Sequence, residues 1–261
     1  MKLHRIWAVM LRYLFLFRHN LGHVFDMFYW PVIDLLVWGL TSTYFSGTLE
    51  SASGMILAVV AGIVFWLIIW RGQYEIGVSL LEDIWSRNLL NLFVAPLKFT
   101  EWVCAFLSMG ILKSVVSFGF ALLVGFLLYQ ADVLSVGLYI VPFAILLIAN
   151  GWWVGFTVGG LILRYGHRIE AFAWSFVAMF APFSAIYYPV SILPVWAQKV
   201  AMFVPSSYVF EGIREVLSTG TLDMNKLWIS LGLTIVYLVL ALLFFRTGFK
   251  RLLNRGLIQV F

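Results

Sequence analysis

Apolar residues in this chain run in blocks. They do not alternate with polar ones. Six blocks stand out, at residues 24–45, 54–70, 102–129, 137–163, 171–188 and 227–245. A helix needs about 20 apolar residues to cross a bilayer. Backbone in lipid must satisfy its hydrogen bonds internally, which makes each block a helix. The pattern predicts an all-α membrane protein with six transmembrane helices. Residues 1–20 follow a different rule. At about 100° per residue, Lys2, His4, Arg5, Arg12, Arg18 and His19 gather in one half of the helical wheel, with Ile6, Trp7, Met10, Leu14 and Phe17 largely opposite. This predicts an amphipathic helix in the membrane interface with its cations toward lipid phosphates. A cytoplasmic extension of the first span is the alternative. A signal peptide fits poorly, because Arg12 breaks the apolar run and no small-residue cleavage site follows.

The polar segments sort by charge. With six spans, one side of the membrane holds Lys2, Arg5, Arg12, Arg18, Arg71, Arg87, Lys98, Arg164, Arg168, Arg246, Lys250, Arg251 and Arg255, and the other holds Lys199, Arg214 and Lys226. That is 13 against 3, with Lys113 inside a span. Lys and Arg are retained on the cytoplasmic side, so both termini are expected there. Composition agrees: 63% of residues are hydrophobic and 11% charged. A soluble domain is about a quarter charged. These values exclude a soluble globule, a disordered chain and a nucleic-acid-binding domain, and the net charge of +5 reads as membrane topology.

Chemistry is sparse. No G-x-x-x-x-G-K-[ST] phosphate loop, H-E-x-x-H or G-x-S-x-G occurs, so neither ATP binding by that route nor catalysis is expected. Cys104 is the only cysteine. His19 and His23 stand four apart, but a headgroup-facing role is favoured over metal binding, and no metal site is expected. Gly151, Gly155 and Gly159 form a small-residue stripe that suits close packing, either between two copies of the chain or within one. Asp34 and Lys113 each fall about 15 Å into a span counted from residues 24 and 102. Charges at that depth pair or face water, so these two are expected to pair or to line one hydrated path. A proton relay is the rival use.

Two polar segments carry the rest. Residues 80–98 read as a short cytoplasmic helix with a charged start at Glu82, Asp83 and Arg87, an apolar turn, and a stop at Pro96. Residues 189–219 are divided by Pro189, Pro194 and Pro205 into pieces too short to span. They predict short re-entrant helices between the fifth and sixth spans, at 194–203 and 206–217, with Ser206 or Ser207 as N-cap and Glu211–Arg214 as an i,i+3 pair.

The block Glu82-Asp-x-x-Ser-Arg-Asn-Leu-Leu-Asn-Leu-x-x-Ala-Pro-Leu-x-x-x-Glu101 resembles the cytoplasmic loop of type-2 ABC exporter permeases. Tyr187-Tyr-Pro-Val-Ser-Ile-Leu-Pro-Val-Trp196, then Val204-Pro and Tyr208-Val-Phe-Glu-Gly-Ile-Arg214, resembles the family's segment after the fifth span. The usual acidic-Gly-Thr-Leu-Glu form of the first block is replaced by Arg87-Asn-Leu-Leu-Asn. The resemblance implies a permease in a bacterial inner membrane, paired with a second copy of itself and with two ATPase subunits that supply ATP and Mg. It implies that Glu82, Asp83, Arg87, Asn88, Asn91, Pro96 and Leu97 couple to the ATPase. It implies an outer gate at Tyr187, Tyr188, Pro189, Pro194, Glu211 and Arg214. A lipid-linked glycan, a lipid or a hydrophobic drug is the expected cargo. A self-contained channel or an ion-coupled secondary transporter is the alternative.

Overall fold

The computed structural model describes residues 1–48, 53–86, 97–169, 171 and 175–255. Among these residues there are helices and turns and no strand. The α-helices are α1 (Leu3–His19), α2 (Leu21–Thr48), α3 (Ser53–Trp85), α4 (Phe99–Tyr129), α5 (Ile140–Tyr165), α6 (Val195–Ala201), α7 (Pro205–Thr219) and α8 (Met224–Arg255). Among the described residues, five helical segments are long and apolar enough to cross a membrane: Leu21–Ser46, Gly54–Trp85, Phe99–Tyr129, Val133–Tyr165 and Met224–Leu252.

Side-chain pairings set their directions. Arg71 meets Asp26, and His23 meets Glu82, so α2 and α3 are antiparallel. Lys113 meets Glu75 and Phe118 meets Phe65, so α4 opposes α3. Phe65 meets Phe143, while an added Cβ on Gly155 would touch Ile76, so α5 runs parallel to α3. Asn150 bonds Thr234 and Phe156 meets Phe245, so α8 runs parallel to α5. The C-terminal ends of α3, α5 and α8 therefore lie together, beside α1. We refer to this as the basic end of the bundle.

The parallel relation of α5 and α8 requires the chain between them to return along the bundle. It does so without a continuous helix. The described part of 171–188, expected as a fifth span, forms 3-10 turns at Val177–Met179 and Ala181–Phe183. Phe180 rests on Trp153 in mid-α5, and the Ile186 carbonyl covers Gly62 near the start of α3. Gly62 has to be glycine, since a Cβ there would stand 2.2 Å from that carbonyl. Pro182 and Pro189 lack the N–H a helix would use, and Ala185 at φ 58° turns the chain. The second block also ends differently. The expected span 54–70 continues as one helix to Trp85, about 50 Å long at 1.5 Å per residue.

The core is the seam of α3 against α4 and α5. Phe65, Phe106, Phe143 and Phe156 are fully buried there. The glycine stripe serves this seam. Gly151 faces Gly72 and the Ile69 carbonyl, Gly155 faces Ile76, and Gly159 faces Phe245 of α8. All three are consumed by packing within one chain, so they do not form a face for a second copy.

Candidate functional site: a charged junction and an aromatic cavity

The C-terminal half of α3 carries Arg71, Glu75, Ser79, Glu82 and Asp83, which recur three, four and seven apart and so share faces of one helix. Each charged member has a partner on a different helix. Arg71 Nη1 donates to Asp26 Oδ2 at 3.0 Å, and Nη2 to the Asp26 carbonyl at 2.8 Å. Glu75 accepts from Lys113 Nζ at 2.6 Å, with Ser79 Oγ at 3.4 Å. Glu82 meets His23 Nε2 at 2.7 Å. Asp83 accepts from Arg12 Nη2 at 2.6 Å and from the Tyr13 hydroxyl. Tyr13 is buried against Phe106, and burial with the neighbouring Asp83 carboxylate pushes its phenol well up.

Helix α1 is held at a second point. Glu101, fully buried in the first turn of α4, accepts from the Lys2 N–H at 2.7 Å and the Lys98 N–H at 3.0 Å, and forms an ion pair with Arg5 Nη1 at 3.6 Å. The amphipathic helix expected over 1–20 is present, but its orientation differs. Val9 and Tyr13 are buried with Ile6 and Met10 beside them, whereas Trp7 and Leu14 face outward. Arg5 and Arg12 turn toward carboxylates of the protein, because Glu101 and Asp83 are buried and would be costly to leave without a cation. Asn20 breaks the helix, so His19 and His23 diverge: His19 Nδ1 meets the Phe15 carbonyl and His23 meets Glu82.

Glu82 and Asp83 thus form the last turn of α3 and do not begin a separate helix; Asp83 is 2% exposed beneath α1. Leu97 is half-buried just before α4. Arg87, Asn88, Asn91 and Pro96 lie outside the described residues.

The expected Asp34–Lys113 pair does not form. Lys113 is at the level of Glu75, whereas Asp34 shares a cavity with Trp66 and Leu67. Eight residues along α3 separate these levels, about 12 Å. The depth count failed because α2 and α4 do not start at one level: Phe28 meets Phe120 and Tyr129 donates to the Leu35 carbonyl, which puts Lys113 near the start of α2, while its real partner lies on α3. The sequence did contain a signal for it. Glu75 lies within a stretch now seen to be helical, one turn from Arg71.

Asp34 instead lines a cavity of about 280 Å³ with Trp30, Trp66, Trp70, Arg71 and Tyr187. It has no hydrogen bond or salt bridge to another described residue. Tyr187 is held by stacking on Trp38 at 4.2 Å.

The returning segment is fixed by α7. Glu211 accepts from the Val190 N–H at 2.7 Å, and Arg214 donates to the Ala185 carbonyl at 3.0 Å while lying 3.5 Å from Glu211. Burial pulls the Arg214 guanidinium down from its ordinary value, with Glu211 opposing. Tyr188 donates to the Pro182 carbonyl; Pro189 precedes the 3-10 turn Val190–Ile192, and Pro194 precedes α6. Neither Ser206 nor Ser207 caps α7. Val204 holds that position with Pro205 next, while Ser206 meets Ser184 and Ser207 donates back to Ala201 and Val204.

No protein-family model matches the chain, and no curated protein matches it significantly.

Proposed function

We propose that this chain is the permease subunit of an ATP-driven exporter, of the type-2 ABC kind that its loop sequences resemble. Two copies form the pathway, and each engages a separate ATPase subunit through residues 80–98. The basic end then faces the cytoplasm of a bacterial inner membrane. The cargo class is a lipid-linked glycan, a lipid or a hydrophobic drug.

The observation that carries this reading is the charged junction. Residues 87–96 join the end of α3 to the start of α4, and both attachment points are bound to α1: Asp83 through Arg12 and Tyr13, Glu101 through Lys2 and Arg5. Glu82 adds α2 through His23. A force on this connection is therefore delivered to the interfacial helix and to α2 together, which is what a coupling element has to do. Arg87, Asn88, Asn91 and Pro96 make the direct contacts in this scheme, and Asp83 acts through α1.

The test is crosslinking from Asn88→Cys, in a Cys104→Ser background, to an ATPase that co-purifies with the chain, together with transport in proteoliposomes. ATP-dependent transport and an Asn88 crosslink are expected. Native mass spectrometry should show two copies of the chain; a single copy with ATPase bound would refute the homodimer.

A second reading, an ion-coupled carrier, is favoured by Asp34, a carboxylate midway along α2 with no ion-pair partner among the described residues. Transport by the chain alone that follows a proton gradient and ignores ATP would establish it over the first.

A further inference from the structure

The cavity at Asp34 presents an acid among aromatic faces. Trp66 is almost fully buried, Trp30 is half exposed, and Trp70 and Tyr187 lie between these extremes. Arg71 also lines the space, but its charge is already met by Asp26 through the carboxylate and the backbone carbonyl. Asp34 is then the uncompensated charge of the cavity. An isolated carboxylate near the middle of a spanning helix is costly, and such groups persist where something cationic or wet satisfies them. Indole and phenol faces attract cations, indole most strongly, and a cage of such rings around a carboxylate is the chemistry that binds alkylated ammonium groups. The Nε–H of Arg71 is buried with no acceptor among the described residues, a donor for a hydroxyl or phosphate oxygen carried beside the cation.

We propose that this cavity is a binding site for an alkylated ammonium group, held by Asp34 and the rings of Trp30, Trp66, Trp70 and Tyr187. Its volume of about 280 Å³ accommodates an alkylated ammonium head group. The site does not depend on the exporter reading, because it needs neither an ATPase nor a second copy. The same ammonium chemistry is offered by a soluble cation and by a choline lipid headgroup.

Choline and its neutral carbon isostere, 3,3-dimethyl-1-butanol, provide the test, with binding to the full chain in nanodiscs followed by saturation-transfer NMR. In discs of phosphatidylglycerol, choline should bind saturably and at least about tenfold more tightly than the isostere, the worth of one charge-assisted contact. Asp34→Asn should remove that preference while Asp34→Glu keeps most of it, and Trp66→Leu should weaken choline several-fold. In discs containing phosphatidylcholine, loss of the choline signal identifies the lipid headgroup as occupant, and an unchanged signal identifies a soluble cation. Equal binding of choline and the isostere to the unaltered chain would overturn the proposal with no variant needed. Undiminished choline preference in Asp34→Asn would overturn it as well. Neither result bears on ATP-dependent transport, which the Asn88 crosslink tests separately.

Discussion

Replacing Lys113 by Met isolates one buried ion pair of the bundle, Lys113 with Glu75. Methionine retains most of the apolar stem and removes the ammonium, which lies over the Phe17 ring and 2.6 Å from Glu75. Glu75 is then left with the Ser79 hydroxyl at 3.4 Å, at the outer limit of a hydrogen bond, on a side chain 1% exposed. Removing one partner of a buried ion pair costs about 3–5 kcal/mol. The expected destabilisation is therefore about 3–5 kcal/mol. Glu75→Gln combined with Lys113→Met removes both charges at little change in volume and should recover all but about 1 kcal/mol. Asp34→Asn should leave the effect of Lys113→Met unchanged, because the two positions are not in contact and their effects add. Equilibrium unfolding in mixed micelles, with the double-mutant cycle completed, gives all three values. A loss below about 1 kcal/mol in the single variant, or a coupling of Lys113 to Asp34 in place of Glu75, would refute the pairing described here.

Gly151→Ala places a Cβ 2.7 Å from the Ile69 carbonyl and 3.0 Å from Gly72 Cα, and should destabilise by about 1–3 kcal/mol, whereas Gly232→Ala meets nothing within 4 Å and should gain up to about 1 kcal/mol in the same unfolding measurement. Asp83→Asn weakens two hydrogen bonds to α1, each worth about 1.5–3 kcal/mol when charged, so amide exchange of residues 3–19 should accelerate about tenfold or more while that of α5 stays unchanged. The parallel course of α5 and α8 predicts that Leu138→Cys and Asp223→Cys, in a Cys104→Ser background, label with an impermeant maleimide from one side and Lys2→Cys from the other. Labelling of Leu138→Cys and Asp223→Cys from opposite sides would contradict the returning segment.

The apolar blocks alone determined that this is a helical membrane protein, because about 20 consecutive apolar residues have no stable alternative to a spanning helix. They also located an amphipathic first helix and the two short helices near 194–203 and 206–217, since Pro194 and Pro205 punctuate the chain whatever surrounds them. Hydropathy could not show that the described part of 171–188, an apolar block like the helices around it, forms 3-10 turns in place of a spanning helix. That outcome depends on Gly62 and Arg214 receiving its backbone and on Trp153 receiving the Phe180 ring, contacts made by residues distant in sequence. The end of α3 was misread for the opposite reason. Residues 71–85 look like a solvated loop because they are charged, yet each charged residue there meets a polar partner on α1, α2 or α4 and the helix continues. Depth along a span is readable from a sequence, and so is the cost of a charge at that depth. Which opposite charge meets it depends on the rotation and register of neighbouring helices, and those are set by the packing of Gly72 on Gly151 and of Phe65 between Phe118 and Phe143. Asp34 was singled out by its position in an apolar run; the aromatic walls around it come from three separated segments, and only the folded chain brings them together.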